Sequence, residues 1–145
     1  MMAAQGGSII LTDINNETGE AAAKAINSCG GSATFKNHDV TSENDWLSVI
    51  NYAETLHGRI DILVNNAGIA QEKPFETITD DDWKNMLNIN LQGPFSLIQE
   101  VIPSMVASKW GRIINISSIG GQWGGFNQVH YAAAKAGLIN LTQSI

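Results

Sequence analysis

The chain has 145 residues, a length within the range of one compact domain. With 43% hydrophobic and 15% charged residues it is too apolar for a disordered chain, and its 14 glycines and three prolines form neither a collagen period nor a polyproline linker. Eight basic against fourteen acidic residues give a formal charge of −6, which argues against a non-specific binder of phosphate backbones.

Ser8–Ile14 is a short apolar run with β-branched residues, closed by turn-forming Asn15 and Asn16, and reads as a strand. A helix follows from Glu17 to Cys29, with Glu17 and Glu20 at the positive end of its dipole and Gly30-Gly31 stopping it. Ala33–Val40 is the second strand. Ser42 then caps a helix in which Trp46, Val49, Ile50, Ala53 and Leu56 recur at helical spacing, and Gly58 ends it. Arg59–Asn65 carries the near-continuous apolar run of a strand covered on both faces. Thr79 to Ser108 reads as a long helix with Asp80, Asp81 and Asp82 in its first turn, kinked at Gly93-Pro94. Gly111–Ser117 is the fourth strand, Gly120–Gly125 a Gly-rich loop, and a last helix runs from Asn127, with Ala132 to Gly137 allowing close packing. Strands alternating with helices predict an α/β fold on a doubly wound parallel sheet, as a single domain over residues 1–145.

The chemistry gathers in a few places. Tyr131 and Lys135, four apart on a helix, share a face with Cβ atoms roughly 5–6 Å apart. A free phenol ionises near pH ~10, so acid–base work near neutrality needs about 3–4 kcal/mol in favour of the phenolate. One ammonium about 4 Å away is worth about 4 kcal/mol at an effective dielectric of ~20. Ser118, at the end of a strand, could hydrogen-bond a substrate oxygen, and its spacing to Tyr131 favours it over Ser117. Asn65-Asn66-Ala67-Gly68 follows the third strand, where amides can tie strand ends together and Gly68 lets backbone approach a ligand. Asn90 precedes Gly93-Pro94, where a kink frees a carbonyl and a side chain can hold a water. Asp13 ends the first strand, where a carboxylate can accept from an adenosine ribose or simply cap the Asn15-Asn16 turn. Asp39-Val40 ends the second strand and could touch an adenine ring. Trp123, Phe126 and Gln128 are candidate substrate-pocket residues. Each feature alone also has a plain structural reading.

Together, Asn65-Asn66-Ala67-Gly68, Asn90 before Leu91-Gln92-Gly93-Pro94, Ser118 and Tyr131-x-x-x-Lys135 resemble the short-chain dehydrogenase/reductase family. Within it they are most similar to the branch of 3-oxoacyl-carrier-protein reductases and related sugar and alcohol dehydrogenases. The resemblance implies a Rossmann fold and a hydride transfer between NAD or NADP and a hydroxyl or carbonyl substrate. It implies that Tyr131 exchanges a proton with the substrate oxygen and that Ser118 polarises that oxygen. Lys135 then favours the phenolate and holds the nicotinamide ribose, and Asn90 positions a relay water. Asp39 and Val40 contact adenine, and Asn65, Ala67 and Gly68 line the cofactor cleft. Asp13 points to NAD over NADP. Family members form homo-oligomers through the helices bearing Asn90 and Tyr131.

The sequence departs from the family at its start, because no G-x-G-x-x-G turn precedes a helix near the N-terminus. Met1–Gly6 looks like the last turn of a helix, and about 30 residues of strand, turn and helix are expected upstream. Ile145 falls inside the Tyr131 helix, and the family's later strands have no counterpart. A chain of this content is expected to be poorly stable and inactive alone, and the alternative reading is a non-catalytic fragment that pairs with a full-length relative. A Ser118/His130 hydrolase is disfavoured because no G-x-S-x-G elbow exists, and His130 reads as a cleft-lining or exposed residue. His38, His57 and His130 lack metal-ligand spacing, so no metal is expected. Cys29, the one cysteine, fits a reducing compartment and is expected to pack as a small apolar side chain. No apolar run nears the ~20 residues of a membrane span, and Met1–Gly7 lacks the features of a signal peptide. The expectation is a cytoplasmic protein that binds neither nucleic acid nor membrane.

Overall fold

The computed structural model describes residues 2–145 and separates into two units, Met1–Gly58 and Arg59–Ile145. The first begins with a 3-10 turn at Ala3–Gln5 that Gly6 closes at φ 84°, a left-handed conformation suited to glycine. Strand β1 (Ser8–Asp13), helix α1 (Asn16–Ser28) and strand β2 (Ser32–Asn37) form a βαβ crossover. The strands pair in parallel, with Ser8 opposite Ser32 and Asp13 opposite Asn37. Asn15 begins α1 by accepting a hydrogen bond from the Thr18 backbone at 3.1 Å, the usual Asn cap. A Cβ on Gly19 would overlap the Phe35 ring, so this glycine lets α1 lie close against β2. Asn27 acts as a substitute strand partner, exchanging two bonds of 2.9 and 2.8 Å with the Ala33 backbone. Helix α2 (Glu43–His57) is capped by Ser42, buries Ile50 and Ala53, and ends at Gly58 with φ 82°.

Two expectations in this unit are corrected. The second strand stops at Asn37, so Asp39-Val40 does not end it. Asp39 instead accepts from the Thr41 backbone and hydroxyl at 2.8 and 2.7 Å, a local turn that competes with strand pairing. Cys29 is exposed, since it lies one residue past α1 where the chain turns, rather than on the helix's buried side.

The second unit pairs strand β3 (Ile62–Asn65) in parallel with strand β4 (Arg112–Asn115), Asn65 lying opposite Asn115. Between them run helix α3 (Asp80–Leu87), a π-helical segment at Asn88–Gln92, and helix α4 (Gly93–Ala107). Thr79 and Asp82 form a reciprocal capping box at the start of α3, and Lys73 pairs with the same carboxylate. The expected kink at Gly93-Pro94 takes the form of the π segment, whose Gly93 N–H donates to Asn88. Pro94 follows at once in the first turn of α4, without an N–H to return to the preceding turn. Helix α5 (Gly120–Trp123) stands where a loop was expected, and helix α6 (Val129–Ser144) packs against both α5 and α3. A Cβ on Gly121 would lie 2.7 Å from the Lys135 carbonyl carbon, and one on Gly137 would lie 2.9 Å from Leu91. The small residues thus bring α6 close to α5 and to the π segment. Met86, Leu97, Ile98, Val101, Met105, Ala134 and Leu138 form the core of this unit.

β3 does not have both faces buried. Ile62 and Val64 are exposed on one side of the sheet, as is Ile114 on β4, while Leu63, Asn65, Ile113 and Asn115 occupy the more buried side. Successive residues of a strand point to opposite faces, and the alternation of exposed and covered residues along both strands follows that period. Both units have the parallel α/β organisation of the Rossmann type.

Candidate active site

Five of the expected residues, Gly68, Asn90, Ser118, Tyr131 and Lys135, converge in the second unit. The amine of Lys135 is buried and donates to the Ile116 carbonyl at 2.8 Å, just past the end of β4. Its Nζ lies 5.9 Å from the centre of the Tyr131 ring, as expected of residues one turn apart. Burial pushes the Lys135 amine below its ordinary value. Neighbouring Ser117 donates to the Lys135 carbonyl at 2.9 Å, so this serine fastens α6 to the strand end. Ser118 is left to the site. Its Oγ accepts the Gly120 N–H at 3.1 Å, and a Cβ on Gly120 would sit 3.5 Å from that oxygen and 3.7 Å from the Tyr131 ring. Gly120 therefore lies between the hydroxyl and the phenol. Ser118 stands three residues beyond β4 rather than ending a buried strand, because the ladder stops at Asn115.

Gly68 and Asn90 complete the group. A Cβ on Gly68 would come within 2.7 Å of Asn90 Oδ1 and 3.4 Å of Lys135 Nζ. Asn90 is fully buried in the π segment, its Nδ2 donating to the Ile69 carbonyl at 3.0 Å and the Met86 carbonyl at 3.1 Å. Those bonds orient the amide and leave Oδ1 buried without a protein donor among the described residues. The π turn matters locally because it changes the helical phase at the residue that carries this amide.

Asn65 is spent on structure. Its Nδ2 donates to Asn115 Oδ1 at 2.8 Å, Asn115 donates to Thr142 at 2.9 Å, and Thr142 returns a bond to Leu138 at 2.7 Å. This chain ties β3, β4 and α6 together behind Lys135. Ala67, beside Gly68, is exposed. His130 is corrected from cleft-lining or exposed to fully buried, its Nε2 paired with Gln71 Oε1 at 2.8 Å. Gln128 donates to Glu72 at 3.4 Å, and Lys73 N–H donates to the Asn127 carbonyl at 2.7 Å. The segment after Gly68 is thus pinned to the start of α6. Trp123 and Phe126 are 82% and 91% exposed and form no closed pocket.

Asn115 and Gln71 were missed in the sequence. A polar residue at the inward register of an apolar strand was the available signal for Asn115. Gln71 sits in a polar loop and carries no such mark. In the first unit, Asp13 Oδ1 accepts the Asn15 N–H at 2.8 Å, so the carboxylate does cap its turn. Val40 accepts from the Trp46 indole at 2.8 Å. Among the described residues no cluster of three metal-ligating side chains occurs, and no helix is long and apolar enough to cross a membrane.

For a dinucleotide, the second unit offers bare backbone at Gly68, where a side chain has no room, and a buried ammonium with N–H groups to spare beyond Ile116. The spare N–H groups of that ammonium fit a ribose diol.

The chain is similar to known proteins over nearly its whole length. The chain is 38% identical over 145 residues to a 3-oxoacyl-[acyl-carrier-protein] reductase of Aquifex aeolicus, covering 99% of this chain and 58% of that protein. It is 34% identical over 144 residues to a cyclopentanol dehydrogenase of Comamonas testosteroni, with coverage of 99% and 58%. A crystal structure of a metagenomic short-chain oxidoreductase in complex with NADP superposes with a TM-score of 0.94 at 32% identity, over 99% of this chain and 65% of that one. The chain therefore spans somewhat over half the length of the relatives it matches. The sequence pattern of the family described as short chain dehydrogenase matches residues 1–145, from first to last, and the chain belongs to that family.

Proposed function

We propose that the enzyme carrying these residues interconverts an alcohol and a carbonyl compound, with Tyr131 as its acid–base group. The substrate is a 3-oxoacyl thioester, a sugar or a secondary alcohol, and the cofactor is NAD in preference to NADP. The observation that carries the reading is the meeting of Ser118, Tyr131 and Lys135 around Gly120 and Ile116. When bound, the nicotinamide supplies or accepts the hydride. Tyr131 holds the proton that the substrate oxygen gains or gives up, and the Ser118 hydroxyl donates to that same oxygen as charge develops on it. Lys135 favours the phenolate electrostatically and offers its free N–H groups to the nicotinamide ribose. Asn90 Oδ1, aimed at Gly68 beside Lys135, accepts from a water that carries the proton onward. Gly68 and Ala67 leave room for the cofactor, while Asn65 maintains the strand ends behind it.

Asp13, Asp39 and Val40 would face the adenosine half, with Asp13 accepting from the ribose hydroxyls and repelling a 2′-phosphate. Gln128 and Trp123 border the substrate. Residues 1–145 supply part of one dinucleotide-binding domain, in a cytoplasmic enzyme that assembles as a homo-oligomer through the helices of Asn90 and Tyr131. The test is Tyr131→Phe, which keeps the ring and removes the hydroxyl. Turnover is expected to fall by about 10²–10⁴ while dinucleotide affinity stays within about twofold. Retained turnover refutes the assignment.

A further inference from the structure

We infer that Asn37 is a positioning residue for cofactor choice, holding the Asp13 turn so that its carboxylate meets the adenosine ribose in one fixed orientation. The inference rests on the reading of Asp13 given above. Asn37 closes β2 directly opposite Asp13 in the parallel register. Its Nδ2 lies 3.0 Å from the Ile14 carbonyl, 3.0 Å from Asn16 Oδ1 and 3.4 Å from the Asp13 carbonyl. An amide nitrogen has two hydrogens, so the two shorter bonds take one each and the third acceptor shares. The Asp13 carbonyl also accepts the His38 N–H at 3.1 Å.

All three acceptors are oxygens, which makes position 37 a demand for a donor. A serine is too short to reach them, and an aspartate of the same shape would set a fourth oxygen among three. Within the turn, Asp13 Oδ1 is already committed to the Asn15 N–H, and Asn15 is committed to capping α1 through Thr18. Reorienting the carboxylate breaks its bond to the Asn15 N–H, and Asn37, from outside the turn, holds the backbone that presents that N–H. Discrimination against a 2′-phosphate requires this fixity. A carboxylate free to swing aside repels the phosphate less and grips the ribose hydroxyls less, so both sides of the preference erode together.

The experiment measures NAD and NADP affinities of the full-length enzyme carrying these residues by titration calorimetry, for the parent, Asn37→Ala, the isosteric Asn37→Asp, Asp13→Ala, and Asn37→Ala combined with Asp13→Ala. Hydrogen exchange of the Asn15 amide is followed in parallel. Both Asn37 variants are expected to lower the NAD-to-NADP affinity ratio by about three- to tenfold and to speed exchange at Asn15. In the Asp13→Ala background, adding Asn37→Ala is expected to move the ratio no further. A purely structural tether would weaken both dinucleotides equally, leave the ratio alone and overturn the inference. An Asp variant that matches the parent also overturns it, because the donors would then be dispensable. If Asp13→Ala leaves the ratio unchanged, the reading of Asp13 itself fails. A full-length parent enzyme that binds neither dinucleotide counts against both.

Discussion

Replacing Gly68 by alanine tests how tightly the candidate site is built. The added Cβ would stand 2.7 Å from Asn90 Oδ1, about 0.7 Å inside the 3.4 Å at which ordinary contact begins. Asn90 cannot yield cheaply, because it is fully buried and its Nδ2 is fixed by the carbonyls of Ile69 and Met86. Forcing an extra carbon into such a place costs about 1–3 kcal/mol, and loosening one Asn90 bond adds about 1 kcal/mol. A loss of about 2–4 kcal/mol corresponds to roughly 6–13 °C in melting temperature for a chain of this size. Urea and thermal unfolding of the parent and Gly68→Ala measure it. Gly120→Ala is the control, since its Cβ would meet Ser118 Oγ at 3.5 Å and the Tyr131 ring at 3.7 Å, and it is expected to change stability by no more than about 0.5 kcal/mol. In the Asn90→Ala background the Gly68→Ala penalty should largely vanish, because the clashing oxygen is gone. A Gly68→Ala melt indistinguishable from the parent, with Asn90 present, refutes the reasoning.

Two further outcomes follow from the charged groups. Burial holds the Lys135 amine below its ordinary 10.5, so between that lowered value and 10.5 the unfolded chain binds the extra proton and stability rises with pH. Lys135→Met should flatten that rise in a pH series of melts, and an unchanged slope would show that the lysine is not desolvated. Asp82 is held well below its ordinary 3.8 by Lys73, then by the Thr79 hydroxyl and backbone, so its contribution is present above 3.8 and is lost as pH falls through the lowered value. Asp82→Asn should lower the urea midpoint at neutral pH and converge with the parent in strong acid. A constant difference across that range would place the effect in helix capping alone.

The sequence revealed the alternation of strands and helices because each element carries its own periodicity and stop signal, as with Ser42 and Gly58 around α2. It also marked Tyr131, Lys135, Ser118 and Asn90 as candidates, and of these the Tyr131–Lys135 spacing is kept along α6. What it concealed depends on partners far along the chain. Asn65 finds Asn115 fifty residues away, and His130 finds Gln71 fifty-nine residues away, so neither the tie nor the burial could be read locally. Strand ends were overextended for the same reason. Asp39 satisfies its own turn, and the β4 ladder stops at Asn115, both decided by hydrogen bonds that a run of apolar letters does not encode.

The π segment between α3 and α4 makes residue count, rather than residue identity, a functional quantity in this stretch. The bond from the Gly93 N–H back to Asn88 spans one residue more than an α-helical turn, so the segment absorbs an extra residue and spares α3 and α4 the rotation of about 100° that this residue would impose in a regular helix. Deleting one position here would restore a regular α-helix with the flanking faces still in phase, and would remove the wide turn that carries the Asn90 amide. Inserting one more residue would instead turn α3 by about 100° relative to α4. The join therefore tolerates the loss of a residue between the two helices better than the gain of one.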